Sequence, residues 1–229
     1  MKKHTAKIAF LDTLPVMTGY LFLGFGFGIL MQQNGYGLPW TLAMSVFVYA
    51  GSMQYVGIGL LTGGASLLTT ALTTLMVNAR HLFYGISMID AYKGTGKRKP
   101  YLIFALTDET YSLVCRDKLP EGAARNAYYL LVSAFDQCYW VIGSCLGALA
   151  GNLPIDFTGI DFALTALFVT IFVEQWLTSR DHLPALVGVS AAVLCLLLFG
   201  ADSFLIPTMI LIALTLILTR DLKKEAAHA

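Results

Sequence analysis

The sequence has little charge for its length, and the charges it has nearly cancel. Only 13% of its 229 residues are Asp, Glu, Lys or Arg, against about 25% in an ordinary soluble domain. The formal net charge of +1 excludes the strongly basic surface typical of nucleic-acid-binding proteins. Hydrophobic residues make up 57% of the chain, and the mean hydropathy is +0.69. This composition predicts a membrane protein without a soluble domain beside it.

Cysteines and catalytic motifs are also scarce. Four cysteines show no C-x-x-C or Cys/His ligand spacing, and three lie in apolar runs, which predicts small core residues rather than disulfides or a metal site. They are Cys115, Cys138, Cys145 and Cys195. The chain has no H-E-x-x-H, paired Asp-rich metal motif or G-x-S-x-G turn, so an intramembrane enzyme lacks support. No cofactor or metal is predicted.

Long apolar runs fill most of the chain. The first carries Pro15, continues to Met31 and has no cleavage signature after it, so we interpret it as a retained helix rather than a signal peptide. A membrane-crossing helix needs about 20 apolar residues. The pattern predicts an all-α polytopic membrane helix bundle of about six to eight segments in a single transmembrane domain, 1–229. The later runs are 38–61, 66–89, 101–114, 128–150, 162–177, 184–199 and 204–218.

Basic residues are unevenly distributed among the connections. Lys and Arg precede the first run, follow the third, fourth and sixth, and close the chain, whereas connections 32–37, 151–159 and 200–203 contain none. Because Lys and Arg resist translocation, the basic segments should all be cytoplasmic. Eight simple crossings would place the 93–99 connection outside, which conflicts with this rule.

Two broken or re-entrant segments would remove the conflict. Run 38–61 carries Gly51 at its middle and further glycines after it, and run 101–114 is short and contains Asp108 and Glu109. If both runs dip into the membrane and return, six helices cross and both termini are cytoplasmic. Seven or eight ordinary helices remain the alternative.

A weak internal similarity suggests an inverted repeat. Ser52-Met53-Gln54 and Phe135-Asp136-Gln137 occupy related places in two stretches of about 85 residues. The predicted halves are 8–92 and 98–180, followed by two C-terminal helices within 184–219.

Charged residues inside the runs are the candidate functional residues. Histidine aside, Arg80 is the one basic residue in the middle of a run, so its expected partners are Asp108, Glu109 and Asp136. The cluster is either a structural ion pair or a site for a zwitterion, in which Arg80 or a half-helix N-terminus holds a carboxylate and an acid holds an ammonium group. An acid in excess would favour its neutral form out of water and could carry a coupling proton. The proton-coupling candidates are Asp108, Glu109, Asp136 and His81.

Three motifs in this order resemble the AzlC-type large subunit of branched-chain amino-acid permeases, the LIV-E exporter family. They are A-G-S-M-Q at 50–54, N-A-R-H-L-F-Y-G at 78–85 and T-D-E-T-Y at 107–111. The resemblance implies a bacterial inner-membrane exporter of valine, leucine, isoleucine and often methionine, driven by the proton gradient and paired with a small AzlD-type membrane subunit. Such proteins are usually drawn with seven spans. The family's polar positions fall on Gln54, Asn78, Arg80, His81, Asp108 and Glu109.

These observations together predict a secondary transporter that exports small apolar amino acids. Arg80 is predicted to bind the substrate carboxylate, and Asp108 or Glu109 to hold the ammonium group or a coupling proton. Gln54 and Asn78 would supply polar contacts at helix breaks. A channel or a structural subunit of a membrane complex, with charges that only hold helices together, remains the rival.

Overall fold

The computed structural model describes residues 2–116, 120, 122–157, 159–160, 162–179, 181–200, 204, 207–208, 210–216 and 218–219. Within these residues the chain is helical and contains no strand, so the all-α prediction is confirmed. The chain forms two compact units, Met1–Leu164 and Thr165–Ala229. The first unit contains α1 Lys2–Gln33, α2 Gly37–Phe47, α3 Gly51–Thr62, α4 Leu67–Val77, α5 Ala79–Ser87, a 3-10 turn at Gly96–Arg98, α6 Lys99–Phe104, α7 Asp108–Val114 and α8 Arg125–Ala150.

The second unit contains most of α9, Phe162–Thr178, and all of α10, Leu183–Phe199. Helical residues continue at 207–208, 210–216 and 218–219. Within this unit the ring of Trp176 stacks on that of His182, with centroids 4.2 Å apart, where α9 turns into α10.

Two described helices, α1 and α8, are long and apolar enough to cross a membrane by length and composition. They run parallel, because contacts join both their starts and their ends. The backbone N–H of Ala124 donates to Oγ1 of Thr5 at 3.1 Å. At the other end Nε2 of Gln32 donates to Oδ1 of Asn152 at 2.8 Å. The starts of α1 and α8 therefore lie at one end of the first unit.

Glycines let the backbones of α1 and α8 touch. A Cβ added at Gly143 would lie 2.7 Å from the carbonyl oxygen of Leu21, and one at Gly24 would lie 2.9 Å from that of Trp140. Gly28 and Gly147 lie in the same contact, closer still to the opposite backbone. Small residues of this kind let helices pack by van der Waals contact where the hydrophobic effect provides no drive between them.

Three of the apolar runs are broken. The second run is divided into α2 and α3 by Val48 to Ala50, and Tyr49 has a φ of 41°. Near the end of α2, the carbonyl of Val46 accepts a hydrogen bond from Nε2 of Gln137 at 3.2 Å. The fourth is split into α6 and α7, as expected. The third is split at Asn78, in agreement with the prediction that Asn78 lies at a helix break. Whether a segment re-enters the membrane, the number of crossings and the repeat stay predictions.

The basic connection predicted at 93–99 covers 93–98 in the structure, because Lys99 begins α6, and it lies beside the start of α8. Nδ2 of Asn126 donates to the carbonyl of Gly94 at 3.2 Å, and Nη1 of Arg98 donates to that of Asn126 at 3.5 Å. Lys93 forms an exposed ion pair with Asp90, and its hydrogen bond holds the pKa of the Asp90 carboxyl below its ordinary value. The connection therefore lies at the same end as the start of α1.

Apolar side chains cover much of the outside as well as the core. Leu67 is 89% exposed and Phe47 79% exposed, which is the surface that a lipid environment favours and water does not. All four cysteines are free, and only Cys195 is buried. The core interpretation is wrong for Cys115 and Cys138, which are exposed, because an apolar run in such a protein also supplies outward-facing residues.

Replacing Gly143 by alanine should weaken the α1–α8 contact, because the added methyl group would press on the Leu21 carbonyl. Overpacking of this kind costs about 1–3 kcal/mol, so the unfolding temperature of the detergent-solubilised protein should fall. Gly19→Ala is the control within α1, since nothing lies within 4 Å of its Cβ position. Equal melting curves for both variants would contradict the role assigned to the glycines.

Candidate functional site

Two predicted charged residues, Arg80 and Asp108, and the polar Ser52 lie where three short helices begin. Ser52 is the second residue of α3, Arg80 the second of α5, and Asp108 the first of α7. Each helix follows a break in an apolar run. Irregular backbone in a membrane protein is tolerated where protein or a polar cavity surrounds it, and discontinuous helices commonly form transporter binding sites.

Arg80 forms an ion pair with Asp108. Its Nη1 contacts Oδ2 of Asp108, and its Nη2 donates to Oγ of Ser52 at 3.1 Å. The side chains of Arg80 and Asp108 keep 31% and 25% of their exposure. The pairing expected from the sequence is therefore present, in a partly open position. Opposite charges that remain accessible can bind the two ends of a zwitterion as well as each other.

Glu109 and Asp136 are joined to the same region through hydroxyl groups. Thr107 caps α7, since the backbone N–H of Thr110 donates to its Oγ1 at 3.3 Å. Tyr20 of α1 donates to Oε2 of Glu109 at 2.6 Å and lies 2.7 Å from Oγ1 of Thr107. Thr110 donates to Oδ2 of the fully buried Asp136 at 2.7 Å. Asp136 thus connects with Glu109 indirectly, and no contact between it and Arg80 is described.

Several predicted site residues keep buried polar atoms without a hydrogen-bond partner among the described residues. They are Nε2 and Oε1 of Gln54, Oδ1 of Asn78, Nε of Arg80, Oδ1 of Asp108 and Oδ1 of Asp136. An unpaired buried polar group costs about 1–3 kcal/mol, so native proteins retain such groups sparingly. Their concentration in the predicted residues indicates hydrogen-bonding capacity that a polar ligand could use.

Not every predicted residue meets the Arg80–Asp108 pair. Gln54 is fully buried and lies two residues after Ser52 on α3. Because an α-helix has 3.6 residues per turn, the two side chains point about 200° apart around the helix axis. His81 bonds within its own turn, its Nδ1 lying 3.3 Å from the carbonyl of Asn78. Asn78 itself is the junction between α4 and α5.

The structure adds four residues that sequence reasoning did not select for the site. Thr107 had a sequence signal, because a threonine followed by two acids is a typical helix start. Ser52 and Thr110 lie within two of the family motifs but were not selected, and Tyr20 had no signal. Their roles depend on which side chains face them across helices, and Tyr20 lies 87 positions from Thr107 in the chain.

Apolar helices, an outer surface rich in apolar side chains and a partly enclosed ion pair are typical of a helical membrane protein. Residues 15–153 match the family model described as AzlC protein. The Bacillus subtilis "Branched-chain amino acid transport protein AzlC" is 40% identical over 218 residues, 94% of this chain and 86% of that protein. The chain therefore belongs to the AzlC family.

Two further relatives are named as membrane proteins. An "Uncharacterized membrane protein" of Helicobacter pylori strain 26695 is 40% identical over 215 residues, 93% of this chain and 94% of its own. The Escherichia coli "Inner membrane protein YgaZ" is 28% identical over 204 residues, 87% of this chain and 82% of its own. No solved structure matches the chain significantly.

A comparison of two glutamines tests whether the buried amide of Gln54 lacks hydrogen bonds in the ligand-free protein. Gln54 has neither amide atom bonded, whereas Gln137 accepts from Tyr101 at 2.8 Å and donates to the carbonyl of Val46. Gln54→Met should stabilise the ligand-free protein by about 1 kcal/mol, and Gln137→Met should destabilise it by about as much, because only the second loses bonds. Thermal unfolding in detergent measures both. A loss of stability in Gln54→Met would contradict the unpaired assignment.

Proposed function

We propose that this chain is a secondary transporter that exports valine, leucine, isoleucine and methionine across the bacterial inner membrane, coupled to protons. The Arg80–Asp108 pair at the starts of two broken helices carries this proposal. Support also comes from the transport name of the Bacillus relative. The residues proposed to bind the substrate are Gln54, Asn78, Arg80, Asp108 and Glu109.

The chemistry of the pair suits an amino acid. A substrate carboxylate would take two guanidinium donors of Arg80, in the fork geometry that arginine offers. The substrate ammonium would then replace Arg80 beside Asp108, whose free Oδ1 remains an acceptor. Ser52 would hold Arg80 in position during this exchange of partners. One substrate methylene is worth about 1–3 kcal/mol, so discrimination among the apolar side chains should be modest.

The topology that we favour has six crossings and cytoplasmic termini. The start of α1, the 93–98 connection and the start of α8 lie at one end of the first unit. Eight simple crossings would put the 93–98 connection at the opposite end, so this contact supports two returning segments. A small AzlD-type subunit is proposed as partner, with the exposed apolar surface available to it.

Arg80→Ala and Arg80→Lys should both lose most valine export at normal abundance, because neither keeps the forked donor pair. A double-mutant cycle separates binding from structure. If the pair binds substrate, Arg80→Gln combined with Asp108→Asn should regain stability but not export. Arg98→Gln is the control for a cation outside the site. Full export by Arg80→Ala or Arg80→Lys would rule out the carboxylate role.

Flux measurements in membrane vesicles separate the rivals. Concentrative, proton-dependent valine flux would support a secondary transporter, whereas flux that only equalises concentrations would favour a channel. A structural subunit would give no valine flux, with or without a proton gradient.

Cysteine accessibility tests the topology. With the four native cysteines replaced by serine, Lys97→Cys should react with a membrane-impermeant maleimide only after the cells are opened, because the 93–98 connection is expected in the cytoplasm. Asn34→Cys, in a connection without basic residues, should react in intact cells. The reverse pattern would overturn the proposed orientation.

A further inference from the structure

Three hydroxyl groups form an unbroken line between the two acids that do not pair with Arg80. The oxygen separations are 2.6 Å from Glu109 to Tyr20, 2.7 Å from Tyr20 to Thr107, 3.1 Å from Thr107 to Thr110 and 2.7 Å from Thr110 to Asp136. Tyr20, Thr107, Thr110 and Asp136 are all buried, whereas Glu109 is partly exposed. The line therefore runs from an accessible carboxyl group to an enclosed one.

We propose that this line is a proton relay, in which Tyr20, Thr107 and Thr110 carry a proton between Glu109 and Asp136. The inference rests on the proposed proton-coupled function and assigns its proton path. Each hydroxyl group can accept one hydrogen bond and donate another, as a relay requires. A carboxyl group placed in contact with only one such donor, and otherwise enclosed, can exchange its proton through that contact.

The step balances with one proton. When Glu109 is protonated, its O–H becomes the donor to the Tyr20 oxygen and the Tyr20 O–H turns to Oγ1 of Thr107. The Glu109 proton then moves to the Tyr20 oxygen while the Tyr20 proton moves to Thr107. The Thr107 proton then moves to Oγ1 of Thr110, and the Thr110 proton to Oδ2 of Asp136. Each hydroxyl group ends with one proton, Glu109 becomes a carboxylate, and Asp136 becomes neutral.

The relay places proton exchange next to the proposed substrate pair. Glu109 follows Asp108 directly in the first turn of α7, so the outer end of the relay lies one residue after the acid of the Arg80–Asp108 pair. Asp136 also lies within electrostatic range of Tyr49, Tyr101 and Tyr128. Moving a proton from Glu109 to Asp136 therefore leaves a negative charge one residue after Asp108 and neutralises the buried Asp136 side chain on α8.

The first experiment follows proton exchange in the purified protein and needs no substrate. The carboxyl stretching band of the protonated Asp136 side chain is assigned at acidic pH by infrared difference with Asp136→Asn, and the shift of this band is timed after transfer to heavy water. Tyr20→Phe and Thr110→Val should slow this exchange at least about tenfold, because positioned proton donors contribute roughly 10²–10⁴-fold.

Matched variants control for lost hydroxyl groups in general. Tyr139→Phe removes another buried tyrosine hydroxyl, which contacts Thr13 at 3.1 Å outside the relay, and should leave exchange unchanged. Thr110→Ser keeps the hydroxyl and should restore the rate. Exchange at the wild-type rate in Tyr20→Phe, or equal slowing in Tyr139→Phe, would overturn the relay.

The second experiment measures transport in vesicles. Tyr20→Phe should lower valine accumulation driven by a pH gradient at least about tenfold more than it lowers valine–valine exchange, since exchange needs no net proton movement. Loss of both activities at normal abundance, or retention of both, would overturn the relay. If the wild type moves no valine, the proposed function fails, and infrared exchange still decides the relay.

Discussion

The backbone contact between α1 and α8 is the interaction on which the site depends. Glycines on both helices bring the two backbones together, and side chains would otherwise hold them apart. α1 then supplies Tyr20, while α8 supplies Asp136 and Gln137. The hydroxyl groups between Glu109 and Asp136 require Tyr20 and Asp136 in these positions. The hydrogen bond to the Val46 carbonyl, near the end of α2, requires Gln137. The parallel helices α1 and α8 therefore carry side chains that bond to the shorter helices α2 and α7.

The broken helices supply the chemistry that this support positions. Three breaks place Ser52, Arg80 and Asp108 at helix starts, where backbone groups lack partners within their own helix. Charged groups away from water are costly unless they meet an opposite charge or a polar partner. The Arg80–Asp108 pair meets that requirement while keeping some exposure and several unpaired atoms. Such incomplete satisfaction is more useful in a binding site than in a structural ion pair, since a ligand can complete it.

Much of this could be read from the residues themselves. Composition and run length gave a helical membrane protein, and a lone arginine among apolar runs predicted an acidic partner, which the structure identifies as Asp108. The interruptions in the second and fourth runs were visible as glycines and as a short, acidic segment. Asn78 was expected at a helix break, but only the structure shows that the third run divides there into α4 and α5.

The sequence alone determined the helical class and the family, because apolar periods and local motifs are properties of neighbouring residues. It also determined which charges would be too costly to leave unpaired. Tertiary structure alone decided that Glu109 connects with Asp136 through Tyr20, Thr107 and Thr110, and that Gln54 turns away from Ser52. These relations depend on directions of side chains on different helices, and residues as far apart as Tyr20 and Thr107 become neighbours only when the helices pack.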